Sequence, residues 1–373
     1  MPVSPMNEIS LKHKSVKRIV YMLFPILLFS CGEKENVGSN SISLSLKDEI
    51  GKEIRFSDLF EVSDVICLET TDESLLARVS KVVSYKNEYY LLDRSQKRLY
   101  VFDGNGRYMR CIGGVGAGPG EYVHLSDFTI DEENGRVAIL DAPSNIYLYD
   151  LQGNFLESKK LDKSMFRSIM SSKDGFVCTT NYSAYTEGDD AYLIYRFDKN
   201  FNLMGKGIEA LPLQMAFPSF VPAILQECDE KTYYIDSYLN KIYCVGDSVS
   251  IPYQIVFESP IPYHIYSDTQ GFMQNHQKYD FLMTAFITHR AIVLAYIHDK
   301  RYFVAKFDRE GKALVNTWYK GRFPTLYPSP DGTLCMYMNA PDYLSYWKNY
   351  VSLSPDIRLT EEDNGLILKC RLK

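Results

Sequence analysis

Short runs of apolar or alternating residues, each broken by turn-forming residues, recur along most of this chain. The clearest unit spans Tyr100 to Tyr122, YVFDGNGRYMRCIGGVGAGPGEY. Leu99 to Phe102 predicts a strand, Asp103-Gly104-Asn105-Gly106 a tight turn, and Arg107 to Ile112 the returning strand. Asp-Gly and Asn-Gly supply the positive φ that a two-residue hairpin turn requires. A glycine-rich connector, Gly113 to Gly120, then carries the chain to a new unit.

The same pattern returns at Tyr149-Asp-Leu-Gln-Gly153, Phe197-Asp-Lys-Asn and Phe307-Asp-Arg-Glu-Gly311, with a degenerate copy at Asp247. The turn aspartates at 103, 150, 198, 247 and 308 are spaced by 47, 48, 49 and 61 residues. A period in the high forties built from strands and hairpin turns is that of β-propeller blades. Val137 to Asp141, Tyr89 to Asp93, Thr232 to Asp236 and Leu294 to Ile297 take the second-strand position in their units. A sixth unit assembles from Leu326 to Trp347 plus two unclaimed strands, Val65 to Glu69 and Leu366 to Leu372. The expected fold is therefore all-β, a six-bladed propeller over residues 42–373 closed by its own terminal strands. Closure leaves no long unprotected sheet edge. The 61-residue step holds an insertion near 259–284, and the best helical stretch is Asp280 to His289.

The beginning departs from this pattern. Lys12, Lys14, Lys17 and Arg18 precede an apolar run, Ile19 to Phe29, that stops at Ser30-Cys31-Gly32. A basic segment, a short apolar core and a small residue before the break form a secretory signal over residues 1–30. Leu28-Phe29-Ser30-Cys31 resembles the bacterial lipobox, so Cys31 is the expected lipidation site and the membrane a partner through the lipid anchor. Residues 31–41 are polar and aperiodic, as in a flexible tether.

Charge narrows the partners. Cleavage after residue 30 leaves 37 basic residues (41 less 4) against 46 acidic ones (47 less 1), a net charge near −9. No basic stripe survives to neutralise phosphates, which excludes nucleic acid as the expected partner. Cys67, Cys111, Cys178, Cys244, Cys335 and Cys370 lie within apolar strand-like runs without zinc or CxxC spacing, so they read as buried small hydrophobes.

Several of these stretches look like one known family. The leader followed by SDVICLETTDESLLARVSKV, then FDGNGRYMRCIGGVGAGPGEY with DFTID, and the ending DNGLILKCRLK resemble six-bladed propeller lipoproteins of Bacteroides-type bacteria, which are similar to NHL-repeat domains. The resemblance implies the fold and an outer-membrane, cell-envelope location, on the surface or periplasmic face.

Candidate chemistry is sparse. Gly113 to Gly120 lacks the Lys-Ser/Thr of a phosphate loop and is followed by a strand, so it reads as a connector, with Glu121 and Tyr122 expected near the central channel. His264, His276, His289 and His298 cluster in or after the insertion without metal-ligand spacing. Asp189-Asp190 and Glu361-Glu362-Asp363 lack a calcium-loop pattern; no cofactor is expected, and calcium in the channel stays open. Tyrosine is over-used, with 29 residues. Tyr182, Tyr185, Tyr192 and Tyr195 read as strand packing, while Tyr343, Tyr346, Trp347 and Tyr350 fit either core or an aromatic binding surface. No nucleophile–base pair or paired carboxylates stand out. Two functions follow. One is a module binding a glycan, peptide or envelope protein through Glu121, Tyr122, Tyr263, His264, His276, Tyr346 and Trp347. The other is a propeller lyase or hydrolase, metal-dependent or not, with its site at the channel.

Overall fold

The computed structural model describes residues 41–161, 165–182, 191–211, 221–329, 333–355 and 357–373. Six antiparallel sheets form the blades of a propeller, each counted here from its inner, first strand to its outer, fourth strand. Blade 1 is Val79–Tyr85, Glu88–Asp93, Arg98–Asp103 and Tyr108–Ile112; blade 2 is Leu125–Asp131, Arg136–Asp141, Asn145–Asp150 and Phe155–Lys160. Blade 3 is Ser168–Ser172, Gly175–Thr179, Tyr192–Phe197 and Leu203–Glu209; blade 4 is Leu225–Cys228, Lys231–Asp236, Lys241–Val245 and Val249–Val256. Blade 5 is Phe281–Ile287, Ala291–His298, Arg301–Asp308 and Ala313–Trp318. Blade 6 joins Tyr327–Pro328, Leu334–Met338 and Leu366–Leu372 to the N-terminal Phe60–Cys67, so both ends of the chain close the ring.

Burial along each blade explains the sequence pattern. Second strands such as Val137 to Asp141 are buried throughout, because both faces pack on neighbouring blades, and they read as continuous apolar runs. The outer strand of blade 2, Phe155–Lys160, is almost wholly exposed. The cores lie between blades: Tyr90, Val101, Phe128 and Ile139 share one between blades 1 and 2, and Phe60, Phe286, Val304 and Leu368 share another between blades 5 and 6.

The recurring aspartate turns differ in detail from the two-residue form expected. Asp103 Oδ1 accepts the N–H groups of Asn105 and Arg107, at 2.8 and 2.9 Å, and Gly106 takes φ +83°. Asp150, Asp198 and Asp308 likewise accept the N–H four residues on, from Asn154, Asn202 and Lys312. The left-handed residue is Gly153, Phe201 or Gly311, and a bulge follows in each hairpin. A type I turn ended by one left-handed residue needs such a bulge to restore register. Phe201 bears the left-handed strain without a glycine while stacking on Phe176, centroids 4.2 Å apart.

Two further features were not expected. Ile42–Ser45 pairs in parallel with Val249–Val256, giving blade 4 a fifth strand, and Ile50 and Ile54 bridge to Asn316 and Tyr319 of blade 5. The segment from Ile42 to Cys67 thus straps the rims of blades 4 and 5 before closing blade 6. The helix expected over Asp280 to His289 is instead the inner strand of blade 5: Phe281–Ile287 pairs with Ala291–His298, and its apolar run is buried between blades. The helical turns lie earlier in the insertion, at Thr269–Asn275, where the Asp268 side chain accepts the Gly271 N–H. No helix among the described residues is long and apolar enough to cross a membrane.

Candidate functional site

Antiparallel pairing puts every turn between first and second strands, and every turn between third and fourth, on one face of the ring. On that face the ends of five inner strands converge on a cavity of about 300 Å³. Its walls include Lys81, Ser84, Ile130, Met170, Ser171, Leu225, Gln226, Glu227 and Tyr327, with Glu132, Glu133 and Lys173 from the first turns at its mouth.

Side chains stitch the inner strands together beneath this mouth. Lys81 Nζ donates to Asp127 Oδ1 at 2.9 Å and to the Phe128 carbonyl at 2.7 Å, joining blades 1 and 2. The other Asp127 oxygen accepts the Ile169 N–H at 3.0 Å, and Thr129 Oγ1 accepts the Ser171 N–H at 2.9 Å, joining blades 2 and 3. Gln226 reaches blade 5: its carbonyl accepts the Ile287 N–H at 3.1 Å and its amide donates to the Ala285 carbonyl at 2.6 Å. The wall formed by blades 1, 2 and 3 is thereby fixed in place, which lowers the ordering cost of binding there.

The mouth carries excess negative charge. Asp131 pairs with Arg136, Glu133 with Lys199, and Glu230 with Lys173. Glu132 and Glu227 have no cationic partner among the described residues. Burial pushes the Glu227 carboxyl above the usual range, and the charges of Glu132 and Glu230 push it further. A cation placed near Glu132 and Glu227 would oppose that shift. Beside the mouth, a second cavity of about 320 Å³ shares Ser84 and Glu132 and adds Lys86 and Lys369.

The residues singled out from sequence lie elsewhere. Glu121 is a strut of the connector: its carboxylate accepts the Gly118 N–H at 2.7 Å and fills the space a Gly116 Cβ would need. Tyr122, 1% exposed, donates to the Ile112 carbonyl at 2.9 Å within the core of blades 1 and 2. Neither lines the channel cavity, so their expected approach to the channel is corrected. The connector loops back so that Gly114–Val115 pairs in parallel with Glu121–Tyr122, with Gly113 and Gly120 at positive φ, and Tyr122 lies between blades rather than toward the axis.

Trp347 is 4% exposed and packs edge-on against Phe56, centroids 5.2 Å apart, so a ligand cannot reach its ring in this conformation. Tyr346 is half-buried, its hydroxyl accepting the Arg322 N–H at 3.1 Å, and of this group Tyr350 is the exposed ring. His264 is exposed, and His276 stacks on the buried Phe272 with centroids 5.6 Å apart. The structure keeps these two groups apart: the insertion packs on the core of blades 4 and 5, and Tyr346 and Trp347 on that of blades 5 and 6. Cys31, Tyr185, Asp189, Asp190 and the side chain of Tyr263 lie outside the described residues. Tyr182 and Tyr195 are buried, and Asp363 is engaged by the Thr360 N–H and hydroxyl. The seven described cysteines are free thiols.

What sequence reading missed was the channel mouth. The usable signal was positional: Glu132-Glu133 and Glu227 stand where an inner strand ends and its first turn begins. Without the repeat phase of the later blades, those positions look like ordinary solvated turn residues.

The family model described as "Domain of unknown function (DUF4934)" matches residues 41–371. The chain belongs to that family. Among solved structures, a Bacteroides fragilis protein described as a "Putative exported protein" superimposes with TM-score 0.72 at 19% identity, covering 90% of this chain and 100% of that one. A member of the DUF4221 family from Bacteroides vulgatus gives TM-score 0.52 at 8% identity, over 84% of this chain and 98% of the other. At these identities the likeness is one of fold. Among curated proteins, none matches this sequence.

Proposed function

We propose that this DUF4934 propeller is an envelope-anchored binding module that seats a lysine or arginine side chain of a peptide or partner protein in the channel mouth. The observation carrying this reading is the cavity of about 300 Å³, lined by five inner strands, of which those of blades 1, 2 and 3 are cross-linked, and edged by Glu132 and Glu227, which have no cationic partner among the described residues. A guanidinium or ammonium entering there recovers the cost of keeping two carboxylates close, and the apolar walls at Ile130, Met170 and Leu225 suit the methylene stem of either side chain. Envelope location is supported by the leader ending at Cys31 and by the description of the Bacteroides fragilis structure as exported.

Short lysine- and arginine-containing peptides, the citrulline counterparts of the arginine peptides and neutral oligosaccharides, titrated side by side by calorimetry, test the ligand. The cationic peptides bind, the citrulline forms do not, and Glu227→Gln with Glu132→Gln weakens binding about tenfold or more while the melting temperature holds. Equal binding of citrulline peptides, or binding of the oligosaccharides alone, overturns the charge reading. Labelled palmitate should enter the wild-type chain and be lost in Cys31→Ala; an unlabelled, freely soluble wild-type product overturns the anchor.

A further inference from the structure

A different set of residues lies on the same face, between blades 4 and 5. Cys228 ends the inner strand of blade 4, and Asp229 follows it in a tight turn, with φ +53° there and +58° at Glu230. His289 lies in the corresponding turn of blade 5, just after Phe281–Ile287. One thiol sulfur, one carboxylate oxygen and one imidazole nitrogen from these residues lie within 4.8 Å of one another. His289 Nδ1 and Asp229 Oδ1 are 3.6 Å apart.

We propose that Cys228, Asp229 and His289 form a binding site for a thiophilic divalent transition ion, zinc being the natural choice. A tetrahedral ion with bonds of about 2.0–2.3 Å holds its ligand atoms roughly 3.5 Å apart. The ligand atoms already lie within 4.8 Å of one another; Asp229 and His289 are exposed, and buried Cys228 supplies the third corner. Thiolate with imidazole selects zinc-like ions over calcium or magnesium, which prefer oxygen alone. The fourth corner has no protein ligand in this set, so the ion would keep an open position.

Arg309 decides whether the site tolerates a dication. Its guanidinium is held by the Thr288 carbonyl at 2.7 Å, the Tyr233 hydroxyl at 2.9 Å and the Tyr253 hydroxyl at 3.1 Å. From there it points an N–H at Cys228 Sγ, 3.6 Å away, and lies 3.4 Å from Asp229 Oδ2. With thiolate and carboxylate both charged, the cluster with Arg309 carries one net negative charge before the ion enters. The guanidinium then serves as an outer hydrogen-bond donor to the metal-bound sulfur, a common support for such ligands.

Titration of the full chain with Co²⁺ under a non-thiol reductant reads the site directly. The wild type should develop a thiolate-to-cobalt charge-transfer band that one equivalent of Zn²⁺ removes. His289→Ala, at an exposed position, should keep the fold and weaken the metal at least about tenfold. Cys228→Ser should abolish the band. A wild type without the band, or a band unchanged in both variants, overturns the site. If Cys228→Ser fails to fold, His289→Ala decides alone. Lysine- or arginine-peptide binding at the channel mouth is measured separately, so either proposal can fail without the other.

Discussion

The Tyr182 hydroxyl donates to Asp236 Oδ2 across 3.0 Å, linking blade 3 to blade 4 where neither side chain meets water. Asp236 also accepts the N–H groups of Tyr238 and Leu239 through its other oxygen, at 2.9 and 3.0 Å. Asp93 uses the same position, the end of a second strand, to accept the N–H groups of Ala77 and Arg78, and Asp141 accepts that of Val123. A buried aspartate at this place fastens the loops of the face opposite the channel cavity.

Burial pushes the Asp236 carboxyl up to about 6, against the pull of its hydrogen bonds. The folded chain therefore holds a proton there that the unfolded chain releases near pH 4. Its contribution to stability is fullest below that value and is lost as pH rises through about 6, by at most roughly 3 kcal/mol. Asp236→Asn should flatten the stability curve between pH 4 and 7 in urea melts. An unchanged slope would show that Asp236 is ionised alike in both states.

Trp347 and Tyr350 stand three residues apart in sequence and should respond oppositely. Trp347→Ala removes a buried ring from the core of blades 5 and 6 and should cost about 3–5 kcal/mol. Tyr350→Ala, at an exposed ring, should change stability by less than about 1 kcal/mol. Equal losses in equilibrium unfolding would contradict this placement.

Asp127 holds three blades at once, through Lys81 and the Ile169 N–H. Asp127→Ala leaves that N–H and a half-buried ammonium without their acceptor, a cost of about 2–4 kcal/mol. The measurement is the urea midpoint at constant slope. A loss below about 1 kcal/mol would mean that water or a neighbour replaces the carboxylate.

Removing Leu366 to Lys373 deletes the third strand of blade 6 and uncovers the edges of Leu334–Met338 and Phe60–Cys67. Leu366, Ile367, Leu368 and Cys370 are fully buried, and each large side chain is worth roughly 1.5–3 kcal/mol. Against a typical stability of about 5–15 kcal/mol, the truncated chain should aggregate or melt far earlier. An unchanged melting temperature would show that the ring closes without this strand.

The propeller was legible because its signals are local and repeated. Asp103, Asp150, Asp198 and Asp308 make the same turn hydrogen bond to the residue four positions on, so the period appears directly in the letters. Phe281–Ile287 was misread because a strand buried on both faces loses its alternation and resembles an apolar helix. The pairing of Ile42–Ser45 with Val249–Val256 joins residues more than two hundred positions apart and leaves no pattern in either segment. The channel mouth was hidden for a related reason: Glu132 and Glu227 become neighbours only when the ring closes.

The parallel strand at the rim also stands first in line for any pull on the chain ahead of it. Ile42 lies against Gly311, in the turn between the third and fourth strands of blade 5, so the polypeptide enters on the face that holds the channel cavity. A pull on the chain ahead of Ile42 runs along the Ile42–Ser45 strand and loads its pairing with Val249–Val256 in shear, all its hydrogen bonds together rather than one after another. The bridges of Ile50 to Asn316 and Ile54 to Tyr319 come next in line. Beyond them lie the buried Phe56 and Leu59 and then Phe60–Cys67, the strand that closes the ring. The rim strand of blade 4, with Leu44 buried in the core, thus stands ahead of the closing strand along the chain.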